Sequence, residues 1–573
     1  MKSSQESNES KQNMKNSFML TKQNPQSQQI SNSLQRFQTT TPVLYQGKFN
    51  DKNQNFGNYQ HLPDPKYFQQ LPQVTISQEK FDDDDQIEAN LFQAKPNIYD
   101  LEKELIFEIK TLQKMIKLSN TQTQQLPGII SIKTKDQSNS QDLNRVGVDL
   151  ICLIDKSTSM NGSKIETVKQ SLKVLLTFLT DQDRLQLIIF NSQSQRLTPL
   201  KRTTEDNKLY FTQMIDSINS TGGTQISSAT EIAFRQLKGR KYRNTVSSVF
   251  LLSDGQDNVA TQQIQIQLQQ LDEEFTMHTF GFGQDHDAAM MTSICNLKNG
   301  SFYFVQNISL LDEFFVDALG GLKSVVGEKL KMKVNLKHPE ILNGLNISKT
   351  HGNKWINKGD YYEINLPVLI QGSRKDFVFE LELPKLIAQI QDNERNALIM
   401  EALLQITDPL SKKELKKSAT LILTFFNQDE QIYQNEEDIE VLEQYNRVLV
   451  AKAIDDARKS CQQQQFDMAQ NQIDNAIVRL ETNKQISSQA PSLIKDLQQA
   501  KQASMRGTFN SYGLGQMMQL SSNSYQQQGV NSVFSLDGQQ QQQSARLQSY
   551  SNNLQQNMVQ QIQLRKTQNE NGN

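Results

Sequence analysis

Val148-Asp149-Leu150-Ile151-Cys152-Leu153-Ile154 runs straight into Asp155-Lys156-Ser157-Thr158-Ser159-Met160-Asn161-Gly162. The first seven residues are almost wholly apolar, the pattern of a strand covered on both faces in a parallel sheet. The residues after them are mostly small and polar and read as the loop at the strand's carboxyl end. Residues 163–179 then place Ile165, Val168, Leu172, Leu175, Leu176 and Leu179 along one helical stripe. Working outward, 185–190 (LQLIIF), 246–252, 276–282 and 301–305 read as further strands. Residues 210–218, 227–237, 264–271 and 288–297 read as helices between them. Strands alternating with helices predict an α/β domain over 147–322 with a doubly wound, mostly parallel, Rossmann-like sheet.

The flanks have other rhythms. Period-2 runs at 330–336, 361–368, 375–383, 398–406 and 419–426 predict an antiparallel β-sandwich over 323–430. Residues 96–146 hold two more strand-like pieces, 105–110 and 129–133, which need a sheet to join. They are expected to complete the sandwich, with the α/β domain inserted between. Helical spacing returns over 436–503 and predicts a helical hairpin or bundle packed on the sandwich, without a 34-residue repeat. Residues 1–95 and 507–573 are rich in Gln, Asn and Ser and are expected to be disordered, since they carry too little apolar surface to offset ordering. Asp82–Asp85 reads as a solvated charge block, and Gln539–Gln543 as low complexity.

The chain has 573 residues, 36% of them hydrophobic, a mean hydropathy of -0.62 and a formal net charge of -2. Scattered charge near balance argues against nucleic acid or a membrane surface as partner. No apolar run reaches the roughly 18 residues of a spanning helix, and the polar start has no secretory h-region. Three isolated cysteines, Cys152, Cys295 and Cys461, form neither a disulfide framework nor, with five histidines, a zinc module. The expected setting is cytoplasmic.

Ligands of open parallel sheets bind at the carboxyl ends of the strands. Asp155 ends the first strand, and Asp254, in Ser253-Asp254-Gly255, ends the strand over 246–252, so both face one crevice. Ser157 and Ser159 lie just beyond Asp155. Thr221-Gly222-Gly223-Thr224 brings Thr224 there on a glycine pair that lets backbone approach closely. Carboxylates with hydroxyls make an all-oxygen, hard donor set suited to Mg²⁺, with Mn²⁺ or Ca²⁺ as alternatives. Two carboxylates and three neutral hydroxyls leave such an ion electrophilic, with a position for an incoming Asp or Glu carboxylate. A phosphatase of the haloacid-dehalogenase type would need a second Asp two residues after the first as general acid; that position is Ser157. No nucleophile–base pair stands out elsewhere, and no enzyme activity is expected.

The pattern DxSxS, then Gly-Gly-Thr, then SDG resembles the von Willebrand factor type A (VWA) domain and its metal-ion-dependent adhesion site (MIDAS). The resemblance implies that Ser157, Ser159 and often Thr224 contact the metal directly, with Asp155 and Asp254 acting largely through water. His278-Thr279-Phe280-Gly281-Phe282-Gly283, Asp285-His286-Asp287, Gly300-Ser301-Phe302-Tyr303-Phe304 and Gly320-Gly321-Leu322 are similar to an intracellular subgroup of these domains. Some members of that subgroup carry a RING finger for ubiquitin transfer; this sequence has no C3HC4 spacing. Asp285 or Asp287 is expected to cap the helix starting near Ala288, and His278 to be structural. The function so implied is metal-dependent capture of an acidic residue on a protein partner. The competing reading is an adaptor scaffold, for ubiquitination-type or other complexes, in which the metal site is incidental. A Mg²⁺-dependent hydrolase is the remaining alternative.

Overall fold

A computed structural model of the chain describes residues 85–87, 99–136, 146–283, 286–305, 310–386, 389–392, 395–432, 435–482, 490–528 and 550–571. The expected disorder of 1–95 lies outside these residues except at 85–87, as do the Gln539–Gln543 run, Asp82–Asp84 and Asp285. Among the described residues, three strands precede the α/β segment: β1 (Leu105–Thr111), β2 (Met115–Lys117) and β3 (Gln124–Thr134). The segment itself holds β4 (Val148–Asp155), β5 (Arg184–Phe190), β6 (Ser194–Arg196), β7 (Lys201–Arg202), β8 (Val246–Ser253), β9 (Thr276–Phe282) and β10 (Phe302–Val305). These form one sheet in the order β10-β9-β8-β4-β5-β6, with β7 also on β5. All pairs are parallel except those of β6 and β7 with β5.

Helices cover both faces, which is why β4, β5, β8 and β9 are buried along their whole length. Helices Ser163–Phe178, Glu205–Asp216 and Leu311–Lys323 share one core with Leu150, Cys152, Ile154 and Phe250. Helices Ile226–Gly239, Ala260–Gln269 and Ala288–Leu297 share the other with Ile151, Leu153 and Leu251. Asp149 is the polar exception in β4 ahead of its terminal Asp155. Its carboxylate, fully buried, takes Arg184 Nε at 2.8 Å and Nη2 at 2.7 Å, and Arg240 Nη1 at 2.6 Å. Helix Glu205–Asp216 starts earlier than its apolar stripe predicts, because Thr204 caps it by accepting from the Asn207 N–H.

Seven more strands come after that segment: β11 (Val325–Leu336), β12 (Asn346–Thr350), β13 (Ile356–Asn357), β14 (Tyr362–Ile370), β15 (Arg374–Leu383), β16 (Asn396–Thr407) and β17 (Glu414–Phe426). One sheet runs β1-β3-β15-β12 and a second β13-β14-β11-β16-β17-β2. Both sheets feed one core that includes Ile130, Phe379, Met332, Leu404 and Phe425, so they form a sandwich. β3 pairs antiparallel with β15, and β2 parallel with β17. The sandwich therefore takes strands from both sides of the α/β segment.

Helices Ile439–Gln462, Phe466–Thr482 and Ala490–Ala503 pack together, and Leu514–Gln526 joins their core through Met517 and Leu520. That last helix corrects the reading of 507–573 as a disordered tail. So does helix Asn553–Asn571, which buries Met558, Val559 and Ile562 in the α/β core. Composition concealed both helices: a few apolar side chains suffice when a finished surface receives them.

Candidate metal centre

The carboxyl ends of β4 and β8 lie side by side, and the loops beyond them build a hydrogen-bonded row. Asp155, the last residue of β4, is fully buried. Its Oδ1 accepts the Ser157 N–H at 2.7 Å, and its Oδ2 accepts the hydroxyl of Ser253, the last residue of β8. Ser253 Oγ also accepts the Gly255 N–H at 3.0 Å. Ser157 Oγ lies 3.0 Å from Ser159 Oγ, which donates to Asp254 Oδ1 at 2.8 Å. Asp254 Oδ2 is bonded to the Lys164 ammonium.

Thr224 reaches the row on the loop ahead of helix Ile226–Gly239. A Cβ at Gly255 would stand 2.7 Å from Thr224 Oγ1 and 2.5 Å from its Cγ2, so Thr224 lies flat against the backbone beside Asp254. The loop is tied to the first by the Thr158 N–H and Oγ1, both donating to Gly222 O, at 2.9 and 3.0 Å. The Thr221 N–H donates to Lys156 O at 2.6 Å. Gly222 has φ +80°, where a side chain would be strained and would meet Asn191. Asn191 Nδ2 in turn donates to Thr221 O at 2.7 Å. Asp257 accepts the Ile226 N–H at 3.0 Å and so fixes the start of the next helix.

All five residues singled out by the motif thus meet at one place. Ser157 and Asp254 are buried, Thr224 is half-buried, and Ser159 is exposed, as are Thr158, Thr221 and Gln256 on the same loops. The centre opens to solvent at Ser159. Burial pushes the Asp155 carboxyl up to about 6, against the hydrogen bonds from Ser253 and Ser157, and the Asp254 charge adds to the rise. A carboxylate held out of water on neutral donors is a place where a cation would lower the cost of charge. Among the described residues no three His, Cys, Asp or Glu side chains gather as metal ligands. The donor set here is of the other kind, hard oxygens with hydroxyls in the majority, and it fits a hard divalent ion.

Two neighbours stand where the sequence places them. Asp287 caps helix Ala288–Leu297 by accepting the Met290 N–H at 2.9 Å. His278 is buried in β9, accepts the Ser301 N–H at 3.1 Å, and is driven down to about 4 by burial. The motif reading did not weigh Ser253, which orients Asp155, or Lys164, which neutralises Asp254. Both sit within or beside the motif stretches, but their roles depend on pairing across the sheet.

A doubly wound parallel sheet with this loop constellation at its carboxyl edge defines a class, and the family model for the von Willebrand factor type A domain matches residues 148–304. That stretch is a VWA domain, a module that typically binds other proteins. The chain is similar to the Arabidopsis thaliana E3 ubiquitin-protein ligase WAV3, 26% identical over 250 residues, which are 42% of this chain and 31% of the ligase. It is also similar to E3 ubiquitin-protein ligase WAVH1 of the same plant, 32% identical over 130 residues, 21% of this chain and 19% of that one. The chain thus spans a third or less of the length of these relatives. A solved von Willebrand factor type A protein from Catenulispora acidiphila shares the fold, with a TM-score of 0.56 at 14% identity over 75% of this chain and 97% of that one. The shared architecture therefore extends well beyond the VWA segment.

Proposed function

We propose that the VWA segment holds one divalent cation, Mg²⁺ before Mn²⁺ or Ca²⁺, on Asp155, Ser157, Ser159, Thr224 and Asp254, and captures a protein partner through an Asp or Glu carboxylate. The observation that carries this reading is the continuous row Asp155–Ser157–Ser159–Asp254, buried at both carboxylates and open at Ser159. The bound cation supplies Lewis acidity toward an external carboxylate. The chain's own residues do the rest. Ser253 and the Ser157 N–H orient Asp155, Gly222 and Asn191 hold the second loop, and Gly255 leaves room for Thr224. We read the centre as one of capture: a phosphatase of the haloacid-dehalogenase type would need an Asp where Ser157 stands. No helix among the described residues is long and apolar enough to cross a membrane. All three cysteines are free and buried, which fits a reducing, cytoplasmic setting. The ligase activity in the relatives' names belongs to those longer proteins, and we assign none to this chain.

The test is paired. Wild type and Asp155→Ala are titrated with Mg²⁺ by calorimetry, then used as baits with Mg²⁺ and with EDTA. The reading expects saturable Mg²⁺ binding lost in Asp155→Ala, and partners lost in parallel with EDTA. Partners held equally well in EDTA and by Asp155→Ala would favour the adaptor scaffold.

A further inference from the structure

Lys164 lies in the first turn of helix Ser163–Phe178, just after Gly162, whose φ is +82°. Its ammonium is bonded to Asp254 Oδ2, while the other oxygen of that carboxylate takes the Ser159 hydroxyl. The pair is enclosed, with the Asp254 side chain 2% exposed and that of Lys164 27%. Gly283, at φ +76°, forms the opposite wall. A Cβ there would stand 3.3 Å from Lys164 Nζ and 3.4 Å from Cε, so the end of the lysine lies close against the backbone of residue 283. The lysine is thus built into the centre and is not a surface residue that strays near it.

We propose that Lys164 couples the two ligands of this site: it weakens the hold on the cation alone and strengthens the hold on cation and partner carboxylate together. This rests on the metal reading above. With Lys164 on Asp254, the two carboxylates leave one negative charge uncompensated. A divalent cation then makes the centre net positive by one charge, and an incoming carboxylate returns it to neutrality. Without the ammonium, the two carboxylates alone would neutralise the cation, and the incoming carboxylate would place a surplus negative charge in a partly buried site, which is costly. One side chain therefore opposes the first ligand and favours the second. Linkage makes the coupling reciprocal: whatever tightens carboxylate capture by the loaded site equally tightens cation retention by the captured complex.

The experiment measures Mn²⁺ binding from the electron paramagnetic resonance of the free ion, on the full chain, with and without a large excess of acetate as the carboxylate probe. Wild type, Lys164→Met and Lys164→Arg are compared. Without acetate, Lys164→Met should bind Mn²⁺ about tenfold more tightly than wild type, and Lys164→Arg close to wild type. Acetate should tighten Mn²⁺ binding several-fold in wild type and in Lys164→Arg, and clearly less in Lys164→Met. In EDTA, Lys164→Met should melt below wild type, because a buried Asp254 loses its counter-charge, and Mn²⁺ should restore it. Equal or weaker Mn²⁺ binding by Lys164→Met, or the same acetate effect in all three proteins, overturns the role of Lys164 and leaves the metal reading standing. Failure of wild type and Lys164→Met alike to bind Mn²⁺ overturns both.

Discussion

The substitution Asp155→Asn should stabilise the metal-free protein near neutral pH while abolishing metal binding. Asp155 has no exposed surface, and burial lifts its carboxyl from 3.8 to about 6. A shift of roughly two pH units is worth about 3 kcal/mol. A raised carboxylate contributes stability that is fully present below the unfolded value, 3.8, and is lost as pH rises through the folded value, about 6. Above that range, without metal, the native state carries the charge at a cost of about 3 kcal/mol relative to acid. Asparagine has the same shape and no charge. Its oxygen can still accept the Ser157 N–H, but its amide faces the Ser253 hydroxyl with a donor where an acceptor stood, a loss of about 1 kcal/mol. The balance is a gain of about 2 kcal/mol for Asp155→Asn at about pH 7.5 in EDTA, and a loss of about 1 kcal/mol at about pH 4. Thermal melts across this range would read the difference as roughly 4–8 °C in favour of the variant at the upper end. Added Mg²⁺ should raise the wild-type midpoint and leave the variant's unchanged. A difference between the two proteins that does not vary with pH would refute the reasoning, since the whole effect is assigned to one titrating group.

Other parts of the molecule support three more expected outcomes. Val559 has no exposed surface in helix Asn553–Asn571, so Val559→Asp should release that helix, seen as fast amide exchange over 553–571 with the sheet strands still protected. Asp149→Ala strips two buried arginines of their shared carboxylate, and should cost about 3–5 kcal/mol by denaturant titration whatever the metal content. Gly255→Ala puts a methyl group against Thr224; Mg²⁺ affinity should fall about tenfold by calorimetry with the circular dichroism spectrum unchanged.

The central sheet was legible because a strand covered on both faces must be apolar along its length, and 148–154, 185–190 and 246–252 are the clearest such runs in the chain. The site was legible for a related reason: strands that end in Asp155 and in Ser253-Asp254 place polar groups at the one sheet edge that loops can enclose. What the sequence hid is whatever depends on a partner surface. Helix Glu205–Asp216 opens on Glu205-Asp206-Asn207-Lys208, polar residues that show no stripe, and its start is set by the Thr204 cap. Lys164 reads as an ordinary helix-surface lysine until β8 brings Asp254 to it. The tail helix offers the buried Met558, Val559 and Ile562, with Leu554 partly buried beside them, within a Gln-rich stretch. Their worth, roughly 1.5–3 kcal/mol each when fully buried, exists only against the core of the α/β segment.

Gly320 and Gly321 carry that dependence furthest. A glycine inside a helix costs about 1 kcal/mol relative to alanine, and helix Leu311–Lys323 contains two in succession. The docked tail bears on the first: a Cβ at Gly320 would stand 3.0 Å from Gln555 Cα, so a side chain there would push the second helix out by a few tenths of an ångström. The contact also completes a buried polar group. Asp317, fully buried one turn earlier, takes Tyr303 OH, Ser551 Oγ and Gln555 Nε2, each at 3.0 Å. Two of those three donors come from beyond residue 550. Burial pushes the Asp317 carboxyl up to about 6 even with these hydrogen bonds in place, so losing two donors would make its charged form costlier still. A fragment ending at residue 322 would therefore keep the metal loops but expose the groove that receives Met558, Val559 and Ile562, and would leave Asp317 with Tyr303 alone. Such a fragment should melt lower than the full chain at neutral pH and recover part of the difference below about pH 6, where Asp317 takes up a proton. The VWA segment of this chain is thus finished by residues some 230 positions downstream, and its metal and partner chemistry is properly measured with that helix in place.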